Sequence, residues 1–217
     1  MAIVSFAAGC APTQTAAPIA TRTVLPPAPI PTLAATAVPP AQAPTVAPTT
    51  AAQLTLPQPD CSQGVTPAQT EGPYYKANTP ERASLLEPGM AGTKIVVTGY
   101  VLTRNCRPIA RAWLDFWQAD DKGEYDNRGY SLRGHLFTDA DGRYTLETIL
   151  PGLYPGRTRH IHVKVQAPNQ PIVTTQLYFP EVQQNNRDGI YKTKLLVTWQ
   201  DVSGAKVALY NFVLNVN

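Results

Sequence analysis

Charged and aromatic side chains are almost missing from the first 59 residues of this 217-residue chain. Arg22 is the only charged residue before Asp60 and Phe6 is the only aromatic one, although more than half of the 22 prolines lie there. A segment of this composition buries too little apolar surface to offset the entropy of ordering. We therefore predict a disordered linker, rich in proline, alanine and threonine, over 11–57, followed by one folded domain over 58–217.

Long apolar runs and clusters of basic residues are also lacking. No stretch reaches the ~20 apolar residues that span a bilayer as a helix, which argues against an integral membrane protein. The net charge is only +3 and no basic patch is present, so nucleic acid is not an expected partner. Membrane-spanning and nucleic-acid-binding classes are therefore the first to be excluded.

Cysteine is scarce, and the first of the three cysteines follows a short apolar stretch. The run Ala7-Ala8-Gly9-Cys10 resembles the cleavage site of a bacterial lipoprotein, so residues 1–10 are interpreted as a lipoprotein-type signal. Lipidation of Cys10 predicts an exported protein, anchored at the cell surface or on the periplasmic face of a membrane, with the proline-rich segment as a spacer. The alternative is an unstructured N-terminus with an isolated cysteine.

The other two cysteines, Cys61 and Cys106, lie at the start of the folded part. In an exported protein, disulfide pairing is the default for such a pair, and this one would close a loop of roughly 45 residues. The alternative is two unrelated buried thiols.

Short apolar or alternating runs separated by turn residues follow one another along the rest of the chain. Asp139-Ala140-Asp141-Gly142 is a typical break between two of them. We predict an all-β domain, an antiparallel or mixed β-sandwich of about eight strands, with room for one short helix over Thr79–Leu86. The predicted strands are Lys94–Leu102, Ala112–Gln118, His135–Phe137, Tyr144–Ile149, His160–Gln166, Thr174–Phe179, Lys194–Trp199 and Lys206–Val216.

Histidine is as scarce as cysteine, and two of the three histidines, His160 and His162, stand two residues apart in one predicted strand. Alternate residues of a strand project to the same face, so both imidazoles point the same way and form half of a possible metal site. The third histidine, His135, lies in another predicted strand. One interpretation is a zinc hydrolase that uses all three histidines, because three histidines on a β-scaffold can hold zinc with an open position.

Three longer motifs carry a resemblance to a known family. The run GRYTLETILPGLYPGRTRHIHVKV, preceded by PIARAWLDFWQADDKGEYDN and TPAQTEGPYY, resembles the intradiol ring-cleavage dioxygenases over essentially all of Thr66 to Phe179. The resemblance implies a β-sandwich that holds one non-haem ferric ion, Fe(III), with two tyrosines and two histidines. It also implies cleavage of catechol-type diols by O₂ to cis,cis-muconate-type dicarboxylic acids.

The same motifs assign roles to individual residues. By resemblance, Tyr125, Tyr154, His160 and His162 are the metal ligands, and Tyr154 is the one that a bound catechol displaces. Arg157, three residues before the first histidine, is expected to stabilise negative charge on the substrate ring, an electrostatic role that depends on a fixed position. Gln176, in the run TQLYF, is expected to line the pocket.

The chemistry of the donors agrees with the implied metal. A phenolate is a hard, anionic oxygen donor, and a bound cation allows a tyrosine with an unperturbed pKa near ~10 to ionise at neutral pH. A non-catalytic interpretation is also open, because TDADGRYTLETILPGLY resembles transthyretin-like surface-binding modules of secreted proteins. Such a module would not need His160, His162 or Arg157.

Overall fold

The computed structural model describes residues 57–202 and 204–217. The predicted lipid acceptor Cys10 and all but the last residue of the predicted linker lie outside these described residues. Within them, no helix is long and apolar enough to cross a membrane.

The described residues form an all-β domain, as predicted. Two short 3₁₀ helices, Gln183–Asn186 and Thr193–Leu195, are its only helical turns in that part of the chain. The strands are β1 Lys94–Leu102, β2 Trp113–Gln118, β3 Arg133–Phe137, β4 Arg143–Ile149, β5 His160–Gln166, β6 Val173–Tyr178, β7 Thr198–Val202, β8 Ala205–Leu209 and β9 Phe212–Val213.

The strands make two sheets. One sheet has the order β3-β2-β5-β6 and is antiparallel throughout. The other has the order β4-β1-β8-β7, with β9 beside β1, and is mixed because β1 runs parallel to β8 and to β9. The fold is therefore a mixed β-sandwich.

Strand β5 shows how the sequence produces both the core and the site. Its residues Ile161, Val163 and Val165 are fully buried in the hydrophobic core between the sheets. The alternate residues, His160 and His162, project to the outer face of the sheet but are also only 3% exposed. Both faces of β5 are covered, because the segment 66–79 runs over the outer face.

Hydrogen bonds fix that segment on the sheet. The backbone of Gln69 donates to the carbonyl of Thr174, and the hydroxyl of Thr175 donates to the carbonyl of Pro67. A disulfide joins Cys61 to Cys106, with 5.6 Å between the Cα atoms, just before the segment begins. The pairing of these two cysteines anchors the start of the segment to the turn after β1.

Three local predictions were wrong. The helix predicted over Thr79–Leu86 is extended instead, because the backbone there bonds to the carbonyls of His135 and Glu147, at the edges of the two sheets. The run predicted as a strand over Lys194–Trp199 begins as a 3₁₀ turn. It meets β6 only through an isolated bridge, in which the nitrogen of Val197 donates to the carbonyl of Tyr178.

The last predicted strand, Lys206–Val216, is divided into β8 and β9. The side chain of Asn211 causes the division, because its Oδ1 accepts a hydrogen bond from the backbone nitrogen of Tyr100, 3.0 Å away. A side chain thus replaces a backbone partner at this point of the sheet.

Candidate metal centre

The two histidines of β5 face each other across a short gap. Their Nε2 atoms are 3.1 Å apart, and the ring centroids are 4.7 Å apart. Cross-strand pairing places Trp117 and Gln176 on either side of His162, so the outer face of the sheet carries a continuous row of side chains at this level.

The contact made by Nδ1 of His160 determines the tautomer of this histidine. Nδ1 lies 2.7 Å from the carbonyl oxygen of Thr158. A carbonyl only accepts, so Nδ1 carries the proton and the Nε2 lone pair is free to bind a cation. Burial, with the charge of Arg157 second, lowers the pKa of His160 to about 4, so the imidazole is neutral at physiological pH.

Packing holds the ring of His162 in place. The indole of Trp117 stacks on its ring, with 4.7 Å between centroids and 7° between planes. Gly72, with φ +72, covers the ring from the segment above, so close that a Cβ there would lie 3.4 Å from the imidazole. Burial lowers the pKa of His162 well below its usual value, and Nδ1 has no hydrogen-bond partner among the described residues.

Tyr125 completes a trio with the histidines. Its hydroxyl lies 3.3 Å from Nε2 of His160. Burial raises the pKa of the Tyr125 phenol, and the nearby guanidinium groups of Arg157 and Arg133 oppose that rise. Without a cation the phenol is therefore protonated, whereas a bound trivalent metal would favour the phenolate.

A glycine brings the loops of the two predicted tyrosine ligands together. Gly123 has φ +90, and a Cβ at this position would overlap the carbonyl of Leu153. Close approach of the two backbones sets the ring of Tyr154 edge-on to that of Tyr125, with 6.0 Å between centroids. The hydroxyl of Tyr154 lies 3.0 Å from that of Tyr74.

Arg157 and Gln176 are in direct contact. Nη2 of Arg157 donates to Oε1 of Gln176 at 2.6 Å, and Nε donates to Asp188 at 2.8 Å. The neighbouring Arg159 points elsewhere and donates to the carbonyl of Pro151. Of the two arginines, only Arg157 reaches the row of side chains that contains His162.

His135 lies apart from the other two histidines. It pairs with Asp115 on the far side of β2, and its Nδ1 lies 2.8 Å from the carbonyl of Thr79. Within residues 57–202 and 204–217, no three His, Cys, Asp or Glu side chains are grouped so that they could hold a metal. A three-histidine zinc site therefore does not form in the described part of the chain.

The residues present fit the ferric ion that the resemblance implies. A neutral imidazole with its lone pair directed inward, a second imidazole nitrogen 3.1 Å away and a phenolic oxygen at 3.3 Å converge on one point. Imidazole and phenolate are donors that iron accepts. The ring of Tyr154 lies beside the trio, with its centroid 6.0 Å from that of Tyr125.

Sequence reasoning missed three residues of this centre. Tyr74 stacks on Tyr125, Trp117 stacks on His162, and Asp188 binds Arg157. Tyr74 and Trp117 stand inside the motifs that carried the resemblance, so both could have been named. Asp188 had no such signal, because it lies in a loop 31 residues after Arg157.

The chain matches known dioxygenases in sequence and in structure. A family model described as Dioxygenase matches residues 70–215. The hydroxyquinol 1,2-dioxygenase of Rhizobium sp. (strain MTP-10005) is 29% identical over 174 residues, which cover 67% of this chain and 59% of the relative. The catechol 1,2-dioxygenase of Candida albicans is 28% identical, over 57% of this chain and 50% of the relative. The chain thus spans between half and three-fifths of the length of these curated relatives.

Solved structures agree with the sequence matches. The dioxygenase domain of a dioxygenase carbohydrate-binding protein fusion from the cellulolytic bacterium Streptomyces sp. SirexAA-E is 50% identical, with a TM-score of 0.68, over 70% of this chain and 99% of that domain. The 3-chlorocatechol 1,2-dioxygenase of Rhodococcus opacus 1CP is 27% identical, with a TM-score of 0.66, over 70% of this chain and 73% of that enzyme. The chain belongs to the intradiol ring-cleavage dioxygenase family.

Proposed function

We propose that this protein uses Fe(III) and O₂ to cleave catechol-type diols between the two hydroxyl-bearing carbons. Both oxygen atoms of O₂ enter the product, a cis,cis-muconate-type dicarboxylic acid, so no external reductant is needed. The observation that carries the proposal is the convergence of Tyr125, His160 and His162 on one point, beside an anchored arginine. The names of the relatives, which are catechol and hydroxyquinol dioxygenases, support the same substrate class.

Four side chains would hold the metal: Tyr125, Tyr154, His160 and His162. A ferric ion bound there supplies Lewis acidity, which favours the doubly deprotonated form of a catechol. His160 remains neutral throughout, because the carbonyl of Thr158 holds the proton on Nδ1. Tyr125 would remain a donor to the metal while substrate binds.

Tyr154 would be the donor that gives way to a catechol: its phenolate oxygen would take up one of the two catechol protons, and hydroxide would take up the other and leave as water. The hydroxyl of Tyr74 lies 3.0 Å from that oxygen, so the protonated Tyr154 has a hydrogen-bond partner outside the metal centre. The stack of Tyr74 on Tyr125 keeps this partner in place.

Arg157 stabilises negative charge that develops on the substrate ring. Its guanidinium is held on two sides before substrate arrives, by Gln176 and by Asp188. A preorganised donor of this kind does not have to reorganise during the reaction, which is why its electrostatic contribution is large.

The loop that contains Tyr154 leaves its side of the pocket open, which favours a broad substrate range. Gly156 has φ +77, and a Cβ built there would meet nothing within 4 Å. Leu153, on the same loop, is 48% exposed. Each missing apolar contact weakens discrimination by only ~1–3 kcal/mol, so several ring-substituted catechols should be accepted.

Comparing kcat/KM for catechol, 4-methylcatechol, protocatechuate and hydroxyquinol measures this breadth. We expect values within about a thousandfold of one another. A stronger preference for one substrate would mean that other parts of the chain close the pocket.

The reaction itself is tested by oxygen uptake with isotopically labelled O₂. The iron-loaded protein should consume one O₂ per catechol and place both labelled atoms in the product. The Tyr125→Phe variant is the matched control, because it removes one ligand oxygen and leaves the ring in place. Wild-type protein with stoichiometric iron that takes up no oxygen would refute the proposed function.

Export and lipidation of Cys10 form the second part of the proposal. A lipid at Cys10 would hold the catalytic domain near a membrane through the proline-rich segment. The intact mass of protein extracted from membranes tests this directly. A mass without lipid that still includes residues 1–9 would contradict it.

A further inference from the structure

A buried carboxylate lies directly behind the active-site arginine. The side chain of Asp188 is 1% exposed, and its Oδ2 accepts hydrogen bonds from Nε of Arg157 at 2.8 Å and from the backbone nitrogen of Thr158 at 2.9 Å. The other oxygen, Oδ1, accepts from the backbone nitrogen of Ile190 at 3.1 Å. Both carboxylate oxygens are therefore used, and three different groups fix the orientation of the carboxylate.

The other side of the guanidinium is fixed as firmly. Gln176 is fully buried, and its Nε2 donates to the carbonyl of Thr70 at 2.9 Å. That contact determines which end of the amide faces Arg157, so Oε1 accepts from Nη2 of Arg157 and from the hydroxyl of Tyr178. The hydrogen bonds from Arg157 to Asp188 and Gln176 use Nε and Nη2, and neither of them uses Nη1.

We propose that Asp188 is the positioning residue of Arg157, the group that holds its guanidinium at the metal centre before substrate binds. The proposal rests on the proposed function, in which Arg157 stabilises charge on the substrate ring. An arginine side chain has four rotatable bonds and loses much rotamer freedom when it is fixed. A charge-assisted hydrogen bond to a buried carboxylate fixes Nε, and therefore the plane and direction of the whole guanidinium.

The substitution Asp188→Asn is the most specific test of this contact. It keeps the size of the side chain but removes the charge and one acceptor, so Arg157 and Ile190 can no longer both be satisfied. We expect Asp188→Asn to lower kcat for catechol by tenfold or more, with less than a threefold change in the dissociation constant of catechol measured without oxygen. Iron content and the visible spectrum of the resting protein should stay as in wild type.

A double-mutant cycle separates positioning from a general structural role. In an Arg157→Gln background, Asp188→Asn should lower kcat by less than twofold further, because its effect passes through Arg157. Asp188→Glu, which restores a carboxylate, should recover part of kcat. Equal losses in both backgrounds, loss of iron in Asp188→Asn, or an unchanged kcat in that variant would each overturn the proposal.

Asp139→Asn is the matched control. Like Asp188, Asp139 accepts two backbone hydrogen bonds, from Asp141 and Arg143, but both go to Oδ1 and the residue lies in the turn between β3 and β4. The same chemical change there should leave kcat within twofold of wild type. A comparable loss in this variant would mean that the effect at Asp188 is not specific to Arg157, which overturns the proposal.

A second cycle, in thermal stability, does not depend on catalysis. Arg157→Gln and Asp188→Asn should each lower the Tm of the protein, and the double variant should lower it by clearly less than the sum. Additive shifts would show that the two side chains do not interact and would overturn the proposal by themselves. If the wild type fails to cleave catechol but the Tm shifts are not additive, the proposed function fails while the contact between Arg157 and Asp188 stands.

Discussion

Tyr74 stacks face to face on Tyr125, with 4.3 Å between the ring centroids and 11° between the planes. Tyr74 belongs to the segment 66–79, which covers the outer face of the sheet. It therefore contacts two predicted ligands, Tyr125 with its ring and Tyr154 with its hydroxyl. The segment that covers the site is therefore part of the site.

Replacing Tyr74 by phenylalanine separates these two contacts. The ring and its stack remain, whereas Tyr154 loses its hydrogen bond. We therefore expect the free energy of unfolding to fall by only about 1 kcal/mol. The visible absorption of the iron-loaded protein should shift to longer wavelength, because a phenolate without its hydrogen-bond donor is easier to oxidise. A variant whose spectrum matches that of wild type would contradict contact between Tyr74 and Tyr154 in the iron form.

The disulfide between Cys61 and Cys106 should stabilise the folded domain. It closes a loop of 45 residues, for which the chain-entropy model gives about 3–4 kcal/mol. Urea unfolding of wild type and of the Cys61→Ser, Cys106→Ser double variant measures the difference. Two thiols that react with an alkylating reagent in folded, unreduced protein would show that the bond is absent.

Acid should destabilise the iron-free domain through its buried histidines. Burial, with the charge of Arg157 second, lowers the pKa of His160 to about 4, whereas the unfolded value is near ~6.5. Between these two values the unfolded chain binds a proton that the folded protein does not bind. The contribution of neutral His160 to the free energy of unfolding is therefore fully present above about pH 6.5. It is lost as the pH falls towards 4, by up to roughly 1.4 kcal/mol per pH unit.

Urea titrations of the iron-free protein across this pH range test the slope. His160→Gln should flatten it, and His162 should account for much of what remains, because burial lowers the pKa of His162 as well. Parallel curves for wild type and His160→Gln would mean that His160 is not buried in its neutral form.

Arg157→Ala should separate catalysis from metal binding. Iron and colour should remain, while turnover should fall by two or more orders of magnitude, corresponding to the ~3–4 kcal/mol typical of one preorganised donor. Arg159→Ala is the control, since Arg159 donates to the carbonyl of Pro151 and should stay within twofold of wild type. A loss of less than tenfold in Arg157→Ala would remove Arg157 from the mechanism.

The sequence allowed the strands near the site to be predicted better than the contacts across it. Two-residue periodicity is enough to place His160 and His162 on one face of β5, and the observed bounds of that strand are those predicted. The same reasoning failed at Thr79–Leu86, where an apolar spacing compatible with a helix is overridden by backbone hydrogen bonds to the edges of both sheets.

The position of Asp188 could not be predicted for a related reason. Its contact with Arg157 exists only because the chain after β6 turns back through a 3₁₀ turn over Gln183–Asn186 and returns to the start of β5. Neither spacing nor composition encodes such a return. Tyr74 was within reach of motif reasoning, but its stack on Tyr125 depends on how the covering segment lies on the sheet.

The visible absorption spectrum of the purified, iron-loaded protein, before and after catechol is added under air, is the most direct test of the central claim. Tyrosinate bound to Fe(III) absorbs visible light strongly, so we expect a coloured protein whose band changes when catechol binds and returns as the catechol is consumed. The Tyr125→Phe variant should show a changed band and weaker retention of iron, and His160→Ala should lose iron. A colourless protein that contains stoichiometric zinc and leaves catechol unchanged would contradict the account.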